Sequence, residues 1–360
     1  MSKLSFDCLN DIFEYLENDK VTLYSCILVN RLWCEVSVRI FWRNGWNYST
    51  SNYSTLIACL PNESKEVLIK NGIFISTPTS KFPIFNYASF CKILSINQVH
   101  CKLRKLLKNQ HSVSFQDLNN NVHIVEREIH KMFMNQISSL KRLAFFKDQK
   151  MSYTVTFTFY PESKECLKNL SELSCNSNIS SEFFYQLSQI CHNIKLLDIT
   201  IENYISDGLS DLILAQKNLK YYNMTQYDED EKIPLLIESL PNTLIKLKLY
   251  GYNYISLSFI SKFINLQELL ISIYSGDICG FEELQNIIFP HLRILNFEFE
   301  CPKYEEFIKF LENNGKNLKV LHVGDNHIED IEGYNENLLN LAIVKLCPNL
   351  RNLSTGFGMI

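Results

Sequence analysis

A chain of 360 residues, 46% hydrophobic and 21% charged, has the balance of a folded protein, which excludes disorder over most of its length. Its formal charge of −4 and pI near 6.1 give no broad basic surface for a nucleic-acid backbone or an anionic membrane. Sparse glycine (11) and proline (9) argue against a turn-rich barrel or sandwich and favour helices and buried strands.

The first ten residues lack the basic-then-apolar order of a secretory signal. No stretch approaches the ~18 uninterrupted apolar residues that cross a membrane. The expected location is the cytoplasm, the nucleus or both, where the 12 cysteines are expected to stay reduced. In that setting the Asn-x-Ser/Thr sequons at Asn47, Asn52, Asn62 and Asn169 are chance products of composition.

From the N-terminus, Phe6, Leu9, Phe13 and Leu16, with Ile12 and Tyr15 alongside, fall at helical spacing. Ser5 is the expected N-cap, and Asp7 complements the dipole of the first turn. A second helix is predicted from Asp19, carrying Val21, Leu23, Cys26, Ile27 and Leu28 and yielding at Asn30. A third is predicted from Leu32 to Arg43, carrying Trp33, Val36, Ile40, Phe41 and Trp42, with Gly45 as its stop. Three such helices make a module near the lower size limit, about 40 residues, for folding alone. They are apolar almost all round, so the module has more apolar surface than it can bury and is expected to present a docking face.

The string Leu4-Ser5-Phe6-Asp7-Cys8-Leu9, then Ile12-Phe13-Glu14-Tyr15-Leu16, then Leu23, Val29, Arg31, Trp33 and Phe41-Trp42-Arg43 resembles the F-box in order and spacing, with Leu4-Ser5 where that family usually carries Leu-Pro. The resemblance implies that residues 1–45 dock a Skp-type adaptor and, through it, a cullin. It assigns the contact to Leu4, Phe6, Leu9, Ile12, Phe13 and Leu16, with Val29 and Trp33 in support and some of these holding the helices together instead.

Residues 46–90 are expected to form short helices and a loop around Pro61, Pro78 and Pro83, packed down because Phe74, Phe82, Phe85 and Tyr87 need burial. The basic run Lys102, Arg104, Lys105, Lys108 reads as a solvated helix face, and Asp228 to Glu231 as a hydrophilic loop.

From about residue 91 to 360 a Leu-x-x-Leu-x-Leu template recurs, with apolar substitutions, in nine units whose first positions are 140, 170, 194, 219, 244, 266, 292, 318 and 350; an earlier degenerate unit starts at Cys91. The separations from 170 to 318 are 24, 25, 25, 22, 26 and 26 residues, flanked by 30 and 32, within the range of a leucine-rich repeat with atypical ends. Asparagine often precedes the first leucine, as at Asn169, Asn193, Asn218, Asn265, Asn317 and Asn349, and helical-period segments separate the templates. The array resembles the leucine-rich repeats of F-box proteins, and Cys347-Pro348-Asn349-Leu350 resembles the opening of their cysteine-containing subtype. The Asn or Cys that the subtype carries past each strand is found at Asn178 and Asn326, with Tyr227, Tyr252 and Tyr274 at equivalent places. The expected fold is α/β: a three-helix F-box module followed by a leucine-rich-repeat solenoid, parallel strands on the concave side and helices on the convex side.

No Cys-x-x-Cys pair, phosphate-binding glycine loop or Gly-x-Ser-x-Gly elbow occurs, and His322 and His327 read as strand and loop residues, so no metal, cofactor or catalytic site is announced. The expected role is non-catalytic: a substrate receptor of a Skp/cullin/F-box ubiquitin ligase, or a ligase-independent scaffold with a decayed F-box. Strand alternation directs a row through Ala144, Ser174, Asp198, Asn223, Lys248, Leu270, Asn296, His322 and Ser354 to the open face, flanked by Lys246, Glu268, Ile294 and Val320. With Tyr221 and Tyr250 as aromatic anchors, the stretch from Tyr221 to His322 is the expected surface for an unidentified client protein.

Overall fold

The structure, a computed structural model, describes residues 4–76, 83–110, 115–146, 158, 160–251, 256–274, 278–324 and 336–355. Pro78, Phe82, Tyr252, Asn326 and His327 lie outside the described residues. The fold is α/β, and every described strand pairing is parallel. The chain divides into two compact units, Met1–Leu170 and Ser171–Ile360.

The first unit begins with α1 (Phe6–Glu14), α2 (Lys20–Ile27) and α3 (Arg31–Phe41). Each helix starts on a side-chain cap: Ser5 accepts from the Cys8 N–H, Asp19 from Thr22 and Asn30 from Trp33. Leu9, Phe13, Leu23, Cys26, Val36 and Ile40 close a small core, and the Phe13 and Trp33 rings meet edge to face at 5.1 Å.

This trio does not end at Gly45. The Arg43 carbonyl accepts from the N–H groups of Lys92 and Ile93, and Asn44 makes a parallel bridge to Ile93. A Cβ at Gly45 would lie 2.8 Å from the Ile93 oxygen, so only glycine permits the approach. The chain continues through α4 (Thr50–Ala58) and α5 (Asn62–Lys70) to β1 (Ile93–Ser95), α6 (Ile96–Gln110), α7 (Phe115–Gln136), β2 (Arg142–Phe145) and α8 (Ser163–Leu167).

β1 and β2 pair in parallel across a crossover made of the two longest helices. The expectation of a short repeat beginning at residue 91 is therefore corrected: Leu94 lies in β1 and Cys91 just before it, but the chain then enters a long helical pair. α4 packs on α6 and α5 on α7. Buried contacts fix the assembly, including Ser64 Oγ donating to Glu128 Oε2 at 2.8 Å and His100 Nδ1 facing Glu126 Oε2 at 3.2 Å. Tyr87 packs 4.6 Å from Trp42, as its apolar ring demands, whereas Phe74 is exposed and not buried. The basic run lies on α6, where Arg104 donates to Asn119.

The second unit alternates strand and crossover: β3 (Glu172–Asn176), α9 (Ser181–Ile190), β4 (Leu196–Ile201), α10 (Gly208–Leu214), β5 (Tyr221–Gln226), α11 (Ile233–Glu238), β6 (Lys246–Gly251), β7 (Glu268–Ile273), β8 (Ile294–Phe299), α12 (Tyr304–Asn314), β9 (Val320–Val323), α13 (Glu336–Leu346) and β10 (Asn352–Thr355). The strands pair in sequence order, and the middle template position forms one ladder through Leu173, Leu197, Tyr222, Leu247, Leu269, Leu295, Leu321 and Leu353. Helices were expected in every crossover. Between β6 and β7, and between β7 and β8, the described residues instead form 3-10 turns, Leu257–Lys262 and Glu282–Leu284. The first of these falls in the shortest repeat, where a tighter winding spans the gap with fewer residues.

The helix-facing row packs Phe297 against Phe281 and Phe307. Each fully buried Leu, Ile or Phe of this kind contributes about 1.5–3 kcal/mol of transfer free energy. On β10 the pattern fails: Leu353 is 49% exposed, because this outermost strand has a neighbour on one side only among the described residues.

Side-chain amides staple each repeat to the one before. Asn314, fully buried, accepts from the Phe289 N–H at 2.7 Å and donates to the Ile287 and Phe310 carbonyls. Gln216 bonds Ile194, Cys191 and Leu212 in the same way. The asparagines before the leucines serve the turns: Asn218 donates to Asn193 Oδ1, Asn265 to the Asn242 carbonyl, Asn317 to Pro290 and Asn349 to Lys316. The acidic run is more than a solvated loop, since Asp228 and Asp230 each accept at 2.8 Å from the backbone of the preceding repeat, at Asn203 and Ile205.

Asn314→Leu strands a buried donor and a buried acceptor, at about 1–3 kcal/mol each, and is expected to lower stability by roughly that sum in a denaturant titration. Tyr222 presents the opposite case, its buried hydroxyl having no hydrogen-bond partner among the described residues. Tyr222→Phe removes a desolvated polar atom and is expected to be neutral or stabilising, by up to about 1 kcal/mol.

Candidate interaction surfaces

The helical trio sorts its apolar residues by burial. Leu9 and Phe13 are 1% and 2% exposed, so the expectation that they touch an adaptor is corrected: they hold the three helices together. Phe6, Leu16 and Trp33 are half-buried against the same core. Leu4, Ile12 and Val29 stand exposed, as expected of a docking face.

Sequence reading passed over the strongest part of this surface. On α2, Leu23 and Cys26 turn inward, while Val21 and Tyr24, with Leu28 just past its end, follow i, i+3, i+7 spacing on the opposite side; Val21 is 80% and Leu28 76% exposed. α2 is apolar on two faces, and only one can be filled by a partner helix, so spacing alone does not say which one is free. The Arg43 guanidinium bonds Glu14 at 3.0 Å, holding that carboxyl below its usual range and tying the end of α1 to the end of α3.

In the second unit all eleven expected client residues lie on the side of the sheet opposite the leucine ladder. Tyr221, Lys246, Glu268, Ile294 and Val320 share one cross-strand row, and Asn223, Lys248, Leu270, Asn296 and His322 share the next. Tyr250 falls in a third row with Thr225, Ser272 and Glu298. All eleven are half-exposed. Ser174, expected in the open row, is buried instead, and so is Ala144 in the first unit.

The face has its own electrostatics. Lys246 and Glu268 pair at 2.6 Å, which neutralises both and leaves Lys248 as a neighbouring cation beside Leu270. Ser272 and Asn296 both donate to Glu298, fixing its carboxylate. At the strand ends the Tyr250 and Tyr274 hydroxyls bond one another, and the Tyr274 ring lies 4.3 Å from Phe299. That hydrogen bond holds the Tyr274 phenol up at about 12. Phe299 adopts φ +79°, a left-handed conformation that costs a non-glycine residue about 1–2 kcal/mol and turns its ring out of the strand. Tyr274 and Phe299 extend the aromatic part of the surface; the strand pattern, which ends at this turn, does not reveal them.

Among the described residues no group of three or more His, Cys, Asp or Glu could hold a metal ion. His100, His123, His130 and Glu126 do gather between α6 and α7, where burial pushes His123 and His130 down and favours neutral imidazoles. Among the described residues no helix is long and apolar enough to cross a membrane. Compared with known proteins, the chain matches no protein-family model and no curated protein.

Burial separates the two classes of residue in the trio experimentally. Phe13→Ala is expected to cost about 3–5 kcal/mol, visible as melting of the first unit by circular dichroism. Ile12→Glu and Leu28→Glu should leave the melting curve within about 0.5 kcal/mol of the parent.

Proposed function

We propose that this chain is a substrate receptor of a Skp/cullin/F-box ubiquitin ligase, acting in the cytoplasm or nucleus. Its helical trio docks a Skp-type adaptor, and its second unit, read as a leucine-rich-repeat solenoid with the open strand face concave, holds a client protein. The observation that carries the reading is the apolar surface of so small a module: Leu4, Ile12, Val21, Tyr24, Leu28 and Val29 are all exposed on or beside α1 and α2 of a trio whose core is already closed. An apolar surface of that extent on a soluble module marks an interaction site.

The receptor supplies proximity and no reactive group. Holding a client lysine near an activated ubiquitin raises its effective concentration, and partner subunits carry out the transfer. Ser5 supports a docking-competent trio even without the family's proline, because its hydroxyl caps α1. The half-exposed Leu270, Ile294 and Val320, beside the Lys246–Glu268 pair, give the client face its apolar part.

Co-purification tests both ends. Ile12→Glu with Val29→Glu should abolish capture of the Skp adaptor and leave client capture intact. Leu270→Glu with Ile294→Glu should do the reverse, with a stability change of about 1 kcal/mol or less for half-exposed positions. Adaptor binding that brings no cullin would favour the ligase-independent scaffold; retention of adaptor by the first double variant would refute the docking assignment.

A further inference from the structure

The column of residues that closes each strand is buried along most of the second unit. Ile201, Gln226, Gly251 and Ile273 stand side by side in register, and all four are enclosed. Phe299 is the next member of that column, paired with Ile273, and it is 40% exposed. Its φ of +79° is the cause, since the left-handed turn takes the ring out of the core and sets it against Tyr274. Gly324, just past β9, makes room for the turn, because a Cβ there would lie 2.5 Å from both the N and the O of Phe299. A phenylalanine that gives up burial to adopt a strained backbone gains nothing in stability, and strain of this kind collects at functional sites.

Beside the turned ring the fold holds a carboxylate in place. Glu298 belongs to the open face, in the row of Tyr250 and Ser272. Ser272 Oγ donates to its Oε2 at 2.9 Å and Asn296 Nδ2 to its Oε1 at 3.3 Å, so the group is oriented and each oxygen keeps a lone pair to spare. Elsewhere on this face a carboxylate is neutralised, Glu268 by Lys246; among the described residues no ion pair engages Glu298. Lys248, the cation of the neighbouring row, stands two strands away. The Tyr250 hydroxyl first, and the Glu298 charge in addition, hold the Tyr274 phenol up at about 12, so the ring next to the carboxylate stays neutral.

We infer that Glu298, Tyr274 and Phe299 together form a docking site for an arginine side chain of a partner polypeptide. A guanidinium is planar, so two of its N–H groups fork onto the carboxylate oxygens while its face stacks on an exposed aromatic ring. An ammonium has no plane to stack, and a trimethylated one has no N–H to donate. Continuity with the apolar patch points to a polypeptide source: Leu270 is the cross-strand partner of Asn296, two positions before Glu298, within reach of an apolar side chain next to the arginine. The inference rests on the open face being the client surface and names what the client must carry there.

The test uses the purified full chain and fluorescence anisotropy with a labelled peptide, Leu-Gly-Arg-Gly-Leu between Gly/Ser arms, alongside the same peptide with citrulline, which keeps the shape and loses the charge. The arginine peptide should bind at least about tenfold more tightly, the size expected for charge-assisted hydrogen bonds. Glu298→Gln should remove that preference. Glu312→Gln, which changes net charge equally at an exposed position on α12, should preserve it. Phe299→Gly suits the left-handed backbone, so it should weaken the arginine peptide roughly threefold without lowering the unfolding midpoint. Equal or absent binding of the two peptides, or an undiminished preference in Glu298→Gln, overturns the arginine site alone; the client reading is tested separately by Leu270→Glu with Ile294→Glu. Tighter binding of a trimethyllysine peptide overturns the guanidinium assignment, and N-acetylarginine amide matching the peptide in affinity overturns the assignment to a polypeptide.

Discussion

The backbone ladder between successive parallel strands is the constraint that the second unit obeys throughout. In repeat after repeat one carbonyl accepts from two consecutive N–H groups of the next strand: Lys195 from Lys220 and Tyr221, Lys220 from Ile245 and Lys246, Ile245 from Gln267 and Glu268, Gln267 from Arg293 and Ile294. Because side chains alternate with period two, a slip of one residue would carry every core leucine into solvent and every face residue into the core. The register is therefore held by backbone bonding and by burial together.

A fixed register turns each template position into a column. One column is the leucine ladder, its neighbours are the two rows of the open face, and the residue that leads into each strand forms a fourth. Surface properties of the unit are then sums along columns and not properties of single residues. A lone half-exposed Leu270 means little, but Leu270 beside Ile294 and Val320 is a patch. Arg293, Lys319 and Arg351 would pass for scattered charges in the linear chain, and only the ladder makes neighbours of residues more than twenty-five positions apart.

The same ladder decides how much of the molecule was legible in the sequence. Period and spacing identified the strands from β2 to β10 and, from β4 to β9, the core ladder and the open rows, because those depend on alternation and on nothing distant. The caps were equally local: Ser5 was expected as one, Asp19 was expected to open α2 and caps it instead, and Asn30 stands two residues before the predicted start of α3 at Leu32. Distant packing was not legible. α6 and α7 interrupt the array because α4 and α5 pack against them, and no repeat template encodes that. Leu9 and Phe13 were grouped with Ile12 since all share helical spacing, and only the position of α3 decides which of them is enclosed. Val21 and Leu28 were read as residues of the second helix and Tyr24 was passed over, their exposure being set by what α2 lacks on its second face. Leu353 fits the template and yet stands half in solvent, since a template says nothing about missing neighbours.

Many side-chain staples of the second unit reach backwards, while Ser177 and Ser181 reach forward to Glu202, Tyr204 and Gly208. Gln216 satisfies backbone groups at Cys191 and Ile194, Asp228 and Asp230 satisfy Asn203 and Ile205, and Asn314 satisfies Ile287 and Phe289. The turns around Cys191, Asn203 and Ile287 are thus completed by residues that come later in the chain. During synthesis, which runs from the N-terminus, a repeat that has just left the ribosome holds unsatisfied amide and carbonyl groups until the following repeat emerges and closes them. An array cut short after one of these repeats would therefore end on a turn whose amide and carbonyl groups have lost their side-chain partners.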